Sequence, residues 1–453
     1  MNTSLRKTDL TDGVVWVKML KYAAPIFSGT LFQSFYTTAD AMIVGRYGGK
    51  AALAAIESVF TLTRLPVNLF MGIATGATIL LSQSYGAKKY REVSEASHTA
   101  ILFAALGGIV LAILGCVLAP VSIRCVQVPA AIAGDARRYL LIYYAGIAAS
   151  LVFNVASGIL RALGNSRQPF LYLVVANFLN VGLDLLFVAA LRLGVVGAAI
   201  ATVLSQLICA VLLLMELTRT ELPCRIALNR LRFHRGQLAS IFRLGLPVGI
   251  QSALYPISNT VVQTGINAFG VNSIAAWGIS GKLDFLIWTI SDAFGIAVST
   301  FVAQNVGAEK FGRARSATRA GLGMACLLIL TISAVLYLWG EPLATFLVDD
   351  LDVIELTGRI LRFISPLYAA YVFCDVLAGA IRGQGDTVLP MMVSLLGICI
   401  FRVLWIFLVV PIHPTLMTAL ACYPISWVVT GLMFIGLFLY KEKATERAEK
   451  KIA

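Results

Sequence analysis

The chain is poor in charge, in histidine and in nucleotide-binding motifs. Only 13% of its 453 residues are Asp, Glu, Lys or Arg, about half the ~25% of an ordinary soluble domain, which argues against a water-soluble enzyme. Its three histidines, His98, His234 and His413, are dispersed, and none stands at metal-ligand spacing from another His or a Cys pair. No Walker-type loop occurs, so ATP hydrolysis is not expected, nor is any cofactor. Cysteine is present, yet Cys116, Cys209, Cys326, Cys374, Cys399 and Cys422 fall inside apolar stretches, where Cys acts as a small hydrophobe rather than as half of a disulfide framework. Acidic residues are the scarcer sign, 23 against 36 basic, for a net charge of +13. The Lys and Arg lie in connections between apolar stretches, where membrane topology explains them, so nucleic acid is not expected as a partner. No small-residue cleavage site follows the polar stretch Met1 to Leu20, which therefore does not read as a removed signal peptide.

What the chain has in excess is apolar length. Hydrophobic residues make up 59% of it, and runs of about 20 or more recur, separated by short basic or Gly/Pro-bearing connections, the pattern of an all-α polytopic membrane protein. A membrane barrel would show weak alternation over about ten residues instead. The pattern predicts twelve spans, near 22–45, 52–82, 98–119, 136–160, 169–191, 195–217, 244–269, 274–304, 317–339, 358–381, 388–410 and 416–440. With both termini inside, 25 of the 36 basic residues, starting with Arg6, Lys7, Lys18 and Lys21, fall on inner segments or an adjoining span end (Arg319), 8 on outer loops or adjoining span ends (Arg137, Arg138, Arg359, Arg362 among them) and three (Arg64, Lys282, Arg402) deeper within spans. That excess orients both termini to the cytoplasm.

An internal repeat organises the rest. Gln83 and Gly86 recur as Gln304 and Gly307, 221 residues on, and Gly158 to Pro169 recurs as Gly379 to Pro390 at the same offset, aligning Arg161 with Arg382 and Gly164 with Gly385. Pro25 and Gly48 match Pro247 and Gly270 at an offset of 222. Six spans plus six follow: an N-terminal lobe over 1–217, a cytoplasmic linker over 218–243, a C-terminal lobe over 244–440 and a basic tail over 441–453. Because six is even, the lobes should be related by a pseudo-two-fold axis along the membrane normal. Gly86 and Gly307 are expected to make the tight turns after spans two and eight, with Lys88, Lys89 and Arg91, and Lys310, Arg313 and Arg315, facing anionic headgroups.

The paired Q-x-x-G-A segments (Gln83 to Ala87, Gln304 to Ala308), the R-x-x-G turns at Arg161 and Arg382, and a first span running from Pro25 through Gln33-Ser-Phe-Tyr-Thr-Thr-Ala-Asp40 to Gly45 resemble the multidrug and toxic compound extrusion (MATE) family, in its DinF- and MepA-like bacterial branch. The resemblance covers essentially the whole chain. It implies two six-helix lobes around a central cavity in the bacterial inner membrane, a monomer exporting organic cations and amphipathic compounds in exchange for protons or sodium ions.

Ionisable groups inside spans are costly in hydrocarbon, so each is a functional candidate. Asp40, Asn180, Asp184 and Thr202 are not retained in the second copy, whose counterparts are Val262 or Gln263, Phe401, Trp405 and Tyr423, so the duplicated scaffold does not require them. At about 1.5 Å per residue, Asp40 lies roughly 8 Å, and Asp184 and Thr202 roughly 11 Å, below the outer ends of their spans. Asn180 and Asp184 are four apart and share a face. Two carboxylates brought together in a poorly hydrated pocket either share a proton or recruit a cation. The resemblance assigns that coupling role to these four positions. The plain alternative makes Asp40 and Asp184 packing residues, hydrogen-bonded to Tyr36 or Asn177.

In the second lobe, Asp375 aligns with Asn154 and stands where another branch of the family binds a cation, but the Glu of that branch is replaced here by Tyr255. Lys282, Asp284 and Asp292 in span eight and Arg402 in span eleven read as charge pairs or cavity-lining groups. Arg64 and Glu57 share a face of span two, where pairing or snorkelling accounts for them. Tyr36, Asn154, Met71 and Trp288 are the candidate substrate contacts. The rival readings are a flippase for lipid-linked sugars, whose cavity would need Arg or Lys for phosphate, and a membrane-embedded enzyme.

Overall fold

The computed structural model describes the backbone of residues 9–452 and the side chains of residues 9–444; Arg6, Lys7 and the basic residues from Arg447 onward lie outside the described side chains. Every regular element among the described residues is helical. In the first half these are α1 (Val15–Ile43), α2 (Gly49–Gly86), α3 (Tyr90–Cys125), α4 (Ala130–Ala162), α5 (Arg167–Asp184) and α6 (Gly194–Arg219). The second half has α7 (Arg235–Asn267), α8 (Val271–Leu283), α9 (Phe285–Gly307), α10 (Phe311–Ala344), α11 (Leu351–Ile364), α12 (Tyr368–Gly383), α13 (Val388–Ser394), α14 (Phe401–Leu408), α15 (Leu416–Leu420) and α16 (Cys422–Ile452). Among the described residues, ten segments are long and apolar enough to cross a membrane, the first of them the 72 residues Val15–Gly86, which contains two crossings. Together with α7, which is not among the ten and carries Gln251, Asn259, Thr260, Gln263 and Thr264, the twelve spans are accounted for. Exposed apolar ridges such as Ile109, Ile113, Val117 and Val121 on α3 are surfaces for lipid, not water.

Several helices are interrupted where an unbroken span was expected. The eighth span breaks between α8 and α9 at Asp284, and the tenth between α11 and α12 at Ser365–Leu367 around Pro366, whose ring cannot continue a helix without losing a hydrogen bond. Three spans contain a widened π-helical turn, at Val44–Gly48, Leu185–Ala190 and Leu395–Ile400. Such turns insert a residue and re-aim the side chains beside them.

The chain forms two compact units, one built on Ala24–Gly249 and the other on Thr11–Ala23 with Ile250–Ala453. Their borders fall inside α1 and α7, away from the 218–243 segment that the repeat marks as a linker. Local packing explains this. In the first unit, Gly72 and Gly76 of α2 face Gly249 and Gly245 of α7: a Cβ on Gly72 would lie 2.2 Å from the Gly249 backbone, and one on Gly76 would lie 2.4 Å from that of Gly245. Two small-xxx-small faces thus let antiparallel backbones touch. In the second unit, Lys310 Nζ donates to Asp12 Oδ1 at 2.9 Å and to the Thr11 carbonyl at 3.0 Å, and Arg313 donates to the Asp12 and Gly13 carbonyls. Lys310 and Arg313 are therefore bound to the leading segment, which corrects the expectation that they serve anionic headgroups. Within the linker, Ala227 N–H donates to His98 Nε2 at 3.0 Å and His234 N–H to Thr99 Oγ1 at 3.2 Å, tying it to α3.

The repeat extends to single backbone torsions. Lys88 and Glu309, 221 residues apart, both have a φ of +58°, and in each copy the following lysine closes the turn, Lys89 N–H on Ser84 O at 2.9 Å and Lys310 N–H on Asn305 O at 2.8 Å. The left-handed residues of these turns are thus Lys88 and Glu309, while Gly86 and Gly307 end their helices, a correction to the expected roles. Gly164 and Gly385 (φ +87° and +93°) and Gly49 and Gly270 (φ +87° and +90°) repeat at the same spacing. A left-handed residue strongly favours glycine, so Gly49, rather than Gly48, is the structural counterpart of Gly270.

Candidate ion-coupling site

The first unit brings α1, α5 and α6 together around Asp40 and Asp184. Asp40 stands four residues before the wide turn Val44–Gly48, and Asp184 immediately precedes the wide turn Leu185–Ala190. The two wide turns pack on one another with Val44 and Val188 fully buried between them. This irregular backbone aims both carboxyl groups at the same point. They lie within hydrogen-bond reach of each other, Asp184 with 0% of its surface exposed and Asn180 with 1%.

The groups that hydrogen-bond around the pair are neutral, and the charged neighbour of Asp40, Glu57 on α2, is itself acidic. In the amide orientation that satisfies both its ends, Asn180 donates to Asp184 Oδ2 at 2.7 Å and accepts from Thr202 N–H at 3.2 Å. The Thr202 hydroxyl donates to the Ala198 carbonyl at 3.0 Å, and the Tyr36 hydroxyl faces it within hydrogen-bond reach. Tyr139 and Tyr143, stacked with centroids 6.1 Å apart, form an aromatic wall beside the pair. Among the described residues, no Lys, Arg or His forms an ion pair with Asp40 or Asp184, and Oδ1 of each is buried without a hydrogen-bond donor. The Asn177 amide nitrogen is likewise without a partner, so it does not hold Asp184.

All four predicted coupling residues therefore meet. Tyr36, expected among substrate contacts, joins them as a hydroxyl facing Thr202. Sequence reasoning missed Tyr139, Tyr143 and Ser205, which accepts from Asn180 at 3.4 Å in its other amide orientation. The available signals were spacings: Tyr139 and Tyr143 are four apart on α4, and Ser205 follows Thr202 by three on α6.

The second unit is built differently. Asp375 lies 3.7 Å from the Arg382 guanidinium on the same helix, close to the exposed Asp292 of α9. A Cβ on Gly295 would come within 2.9 Å of Asp375 Oδ2, so that glycine leaves space for the carboxylate. Asp284 and Lys282 do not pair: Asp284 accepts from Trp288 Nε1 at 3.0 Å and from the Tyr368 hydroxyl at 2.6 Å, while Lys282 is exposed at the end of α8. Arg402 likewise has no acidic partner among the described residues; it sits over Tyr423 and Tyr255. Nor does Arg64 pair with Glu57, its guanidinium lying 4.5 Å over the Phe60 ring. The charge-pair readings of these residues are corrected accordingly, because aromatic faces and neutral hydrogen-bonding groups surround the charges. Of the other substrate candidates, Asn154 donates to its own helix at Ser150 O, 2.8 Å away, Met71 is half-buried on α2, and Trp288 belongs to the cluster with Tyr368, Tyr371 and Trp427.

Comparison with known proteins places this architecture. The chain is 26% identical over 445 residues to "Probable multidrug resistance protein YoeA" of Bacillus subtilis, covering 96% of each chain. It is 23% identical over 392 residues to "Probable multidrug resistance protein NorM" of Thermotoga maritima, covering 84% of this chain and 82% of that one. Among solved structures, a MOP superfamily transporter from Pyrococcus furiosus shares the fold with a TM-score of 0.91 at 19% identity, over 98% of this chain and 99% of that one. The MatE family model matches twice, at residues 25–186 and 247–408, once in each half of the repeat. On these two matches, which together span most of the sequence, the chain belongs to the MatE family.

Proposed function

We propose that this chain is a secondary active exporter of organic cations and amphipathic compounds, and that the Asp40–Asp184 pair is where it binds its coupling ion. One observation carries the reading: two carboxyl groups, Asp184 fully buried and Asp40 half-buried, lie within hydrogen-bond reach, with no ion-paired cation among the described residues. Two like charges there repel strongly, so the pair shares a proton or takes up a cation. With Asn180 donating to Asp184, its amide oxygen is turned away from the pair and is not offered as a sodium ligand; a proton shared by the two carboxyls is the first reading. Sodium is the second reading, supported by the oxygens of Asp40, Asp184, Tyr36 and Thr202, which suit a hard cation.

Binding and release of one positive charge here changes the electrostatics of two adjoining wide turns, the kind of local event that biases an element with two arrangements. Pro25 inside α1 removes a backbone donor and weakens the half of that helix away from Asp40. Export is thus transport without chemical conversion of the substrate. We place the chain as a monomer in the bacterial inner membrane with both termini cytoplasmic, on the distribution of its basic residues.

Reconstitution into proteoliposomes with either a pH gradient or a sodium gradient, reading accumulation of a fluorescent organic cation, tests the proposal. Accumulation driven by the pH gradient alone is expected. Accumulation driven only by sodium selects the second reading, and turnover of a lipid substrate in detergent with no gradient would replace transport by catalysis.

A further inference from the structure

Arg402 is a buried cation whose compensation is incomplete. It sits on α14 in the eleventh span with 1% of its surface exposed. Nε donates to Ser426 Oγ at 3.0 Å and one terminal nitrogen to Asn259 Oδ1 at 3.0 Å; the Tyr255 hydroxyl faces the guanidinium within reach, and Nη2 is buried with no well-formed hydrogen bond. The guanidinium carbon lies 4.4 Å from the centroid of the Tyr423 ring and 5.7 Å from that of Tyr255. Every one of these neighbours is neutral. The buried acid of the same unit, Asp284, is engaged by Trp288 and Tyr368 instead.

A guanidinium removed from water and left without an anion is strongly destabilised, and cation–π contacts offset only part of that cost. Two aromatic faces and three neutral oxygens, of Ser426, Asn259 and Tyr255, therefore leave a charge that an anionic oxygen at Nη2 would complete. The scaffold does not demand this cation: at the 221-residue spacing of the repeat, Arg402 stands at the position of Val181 in the first half.

The surroundings specify what kind of anion fits. Tyr255 and Asn259 lie four residues apart on one face of α7, together with Gln251, whose Oε1 is also buried without a donor. Tyr255 and Asn259 are only half-buried, so the guanidinium is approached from this side. The Tyr255 hydroxyl is within reach of Tyr371, whose ring meets that of Trp288 edge-on at 4.9 Å. A flat apolar body would find aromatic faces next to the charge.

We infer that Arg402 is a substrate-recognition residue that receives the carboxylate of planar aromatic compounds, with Tyr255, Tyr371 and Trp288 against the ring system. The inference rests on the exporter reading and extends its substrate class to amphipathic compounds bearing an acid. It does not depend on the coupling site in the first unit.

Equilibrium binding to the purified full chain in lipid nanodiscs, with no gradient imposed, tests it by calorimetry. The probes are 1-naphthoate, neutral 1-naphthylmethanol and sodium chloride. Naphthoate should bind about tenfold or more tightly than the alcohol, the usual scale of a charge-assisted hydrogen bond, and Arg402→Met should abolish that preference. Because Arg402→Met alters the core, Asn259→Asp provides a near-isosteric second variant. It places a carboxylate where Asn259 Oδ1 now sits, 3.0 Å from the guanidinium, and should suppress naphthoate binding by competition. Binding is read with no gradient imposed, which separates a failure here from a failure of the coupling assignment, and Gly134→Leu, where a Cβ meets nothing within 4 Å, should leave naphthoate binding intact. Equal binding of acid and alcohol by the native chain, naphthoate binding that survives both Arg402→Met and Asn259→Asp, or full displacement by chloride at naphthoate-like concentrations would each overturn the inference.

Discussion

Asp375 Oδ1 lies 3.7 Å from the guanidinium of Arg382, seven residues further along α12. Asp40 and Asp184 have no such counter-ion among the described residues, and this difference separates the two acidic sites of the chain. An acid already neutralised by a fixed arginine has less to gain from a proton or sodium ion. A pair with no fixed cation depends on one.

Asp40→Asn and Asp184→Asn nearly preserve shape but remove the ionisable group. Gradient-driven export in proteoliposomes should fall about tenfold or more in each, the scale of a lost coupling free energy, with insertion and elution in detergent unchanged. Asp375→Asn should do less harm. Normal export by both first-unit variants together with failure of Asp375→Asn would move the coupling site to the second unit.

Tyr36→Phe removes the hydroxyl that faces Thr202 and keeps the ring against its neighbours. One neutral hydrogen bond is worth about 1 kcal/mol, so the concentration of coupling ion needed for half-maximal export should rise about fivefold, with the maximal rate retained. An unchanged ion dependence would exclude Tyr36 from the site.

At the α2–α7 contact, Gly72→Leu introduces a side chain where even a Cβ meets the Gly249 backbone at 2.2 Å. Overpacking of this kind costs about 1–3 kcal/mol or more, and thermal unfolding in detergent should occur at lower temperature. Gly134→Leu is the matched control, since a Cβ there meets nothing within 4 Å. Equal unfolding temperatures for the two variants would show that the glycine contact does not matter for stability.

Asp12, ahead of the first span, is held below the ordinary carboxylate range chiefly by its hydrogen bond to Lys310 and that lysine's charge. Because its folded value is depressed, the clamp contributes fully above the unfolded value of about 3.9 and is lost as pH falls through the folded value. Protease cleavage near Gly13 should therefore rise only in strongly acidic buffer. Asp12→Asn should show the higher cleavage already at neutral pH, and identical cleavage of variant and native chain there would discount the side-chain ion pair.

Twelve apolar runs and a 221-residue repeat were legible without coordinates, because span length follows from bilayer thickness and a duplicated fold keeps its turn chemistry in register. The grouping of Asp40, Asn180, Asp184 and Thr202 was legible too, since charge inside a span is rare enough to stand out. Their contact was not. It depends on wide turns after Asp40 and Asp184, which arise from packing between α1 and α5 and leave no motif. Composition likewise said nothing of which charges pair: Arg64 and Arg402 each lie over aromatic rings brought from elsewhere in the fold or along the helix, and Lys310 and Arg313 hold a segment about 300 residues away in sequence. A side chain's partners are set by the positions of all the helices around it. Hydrophobic periodicity specifies which residues are buried, while only the packed fold determines what each buried polar group meets there.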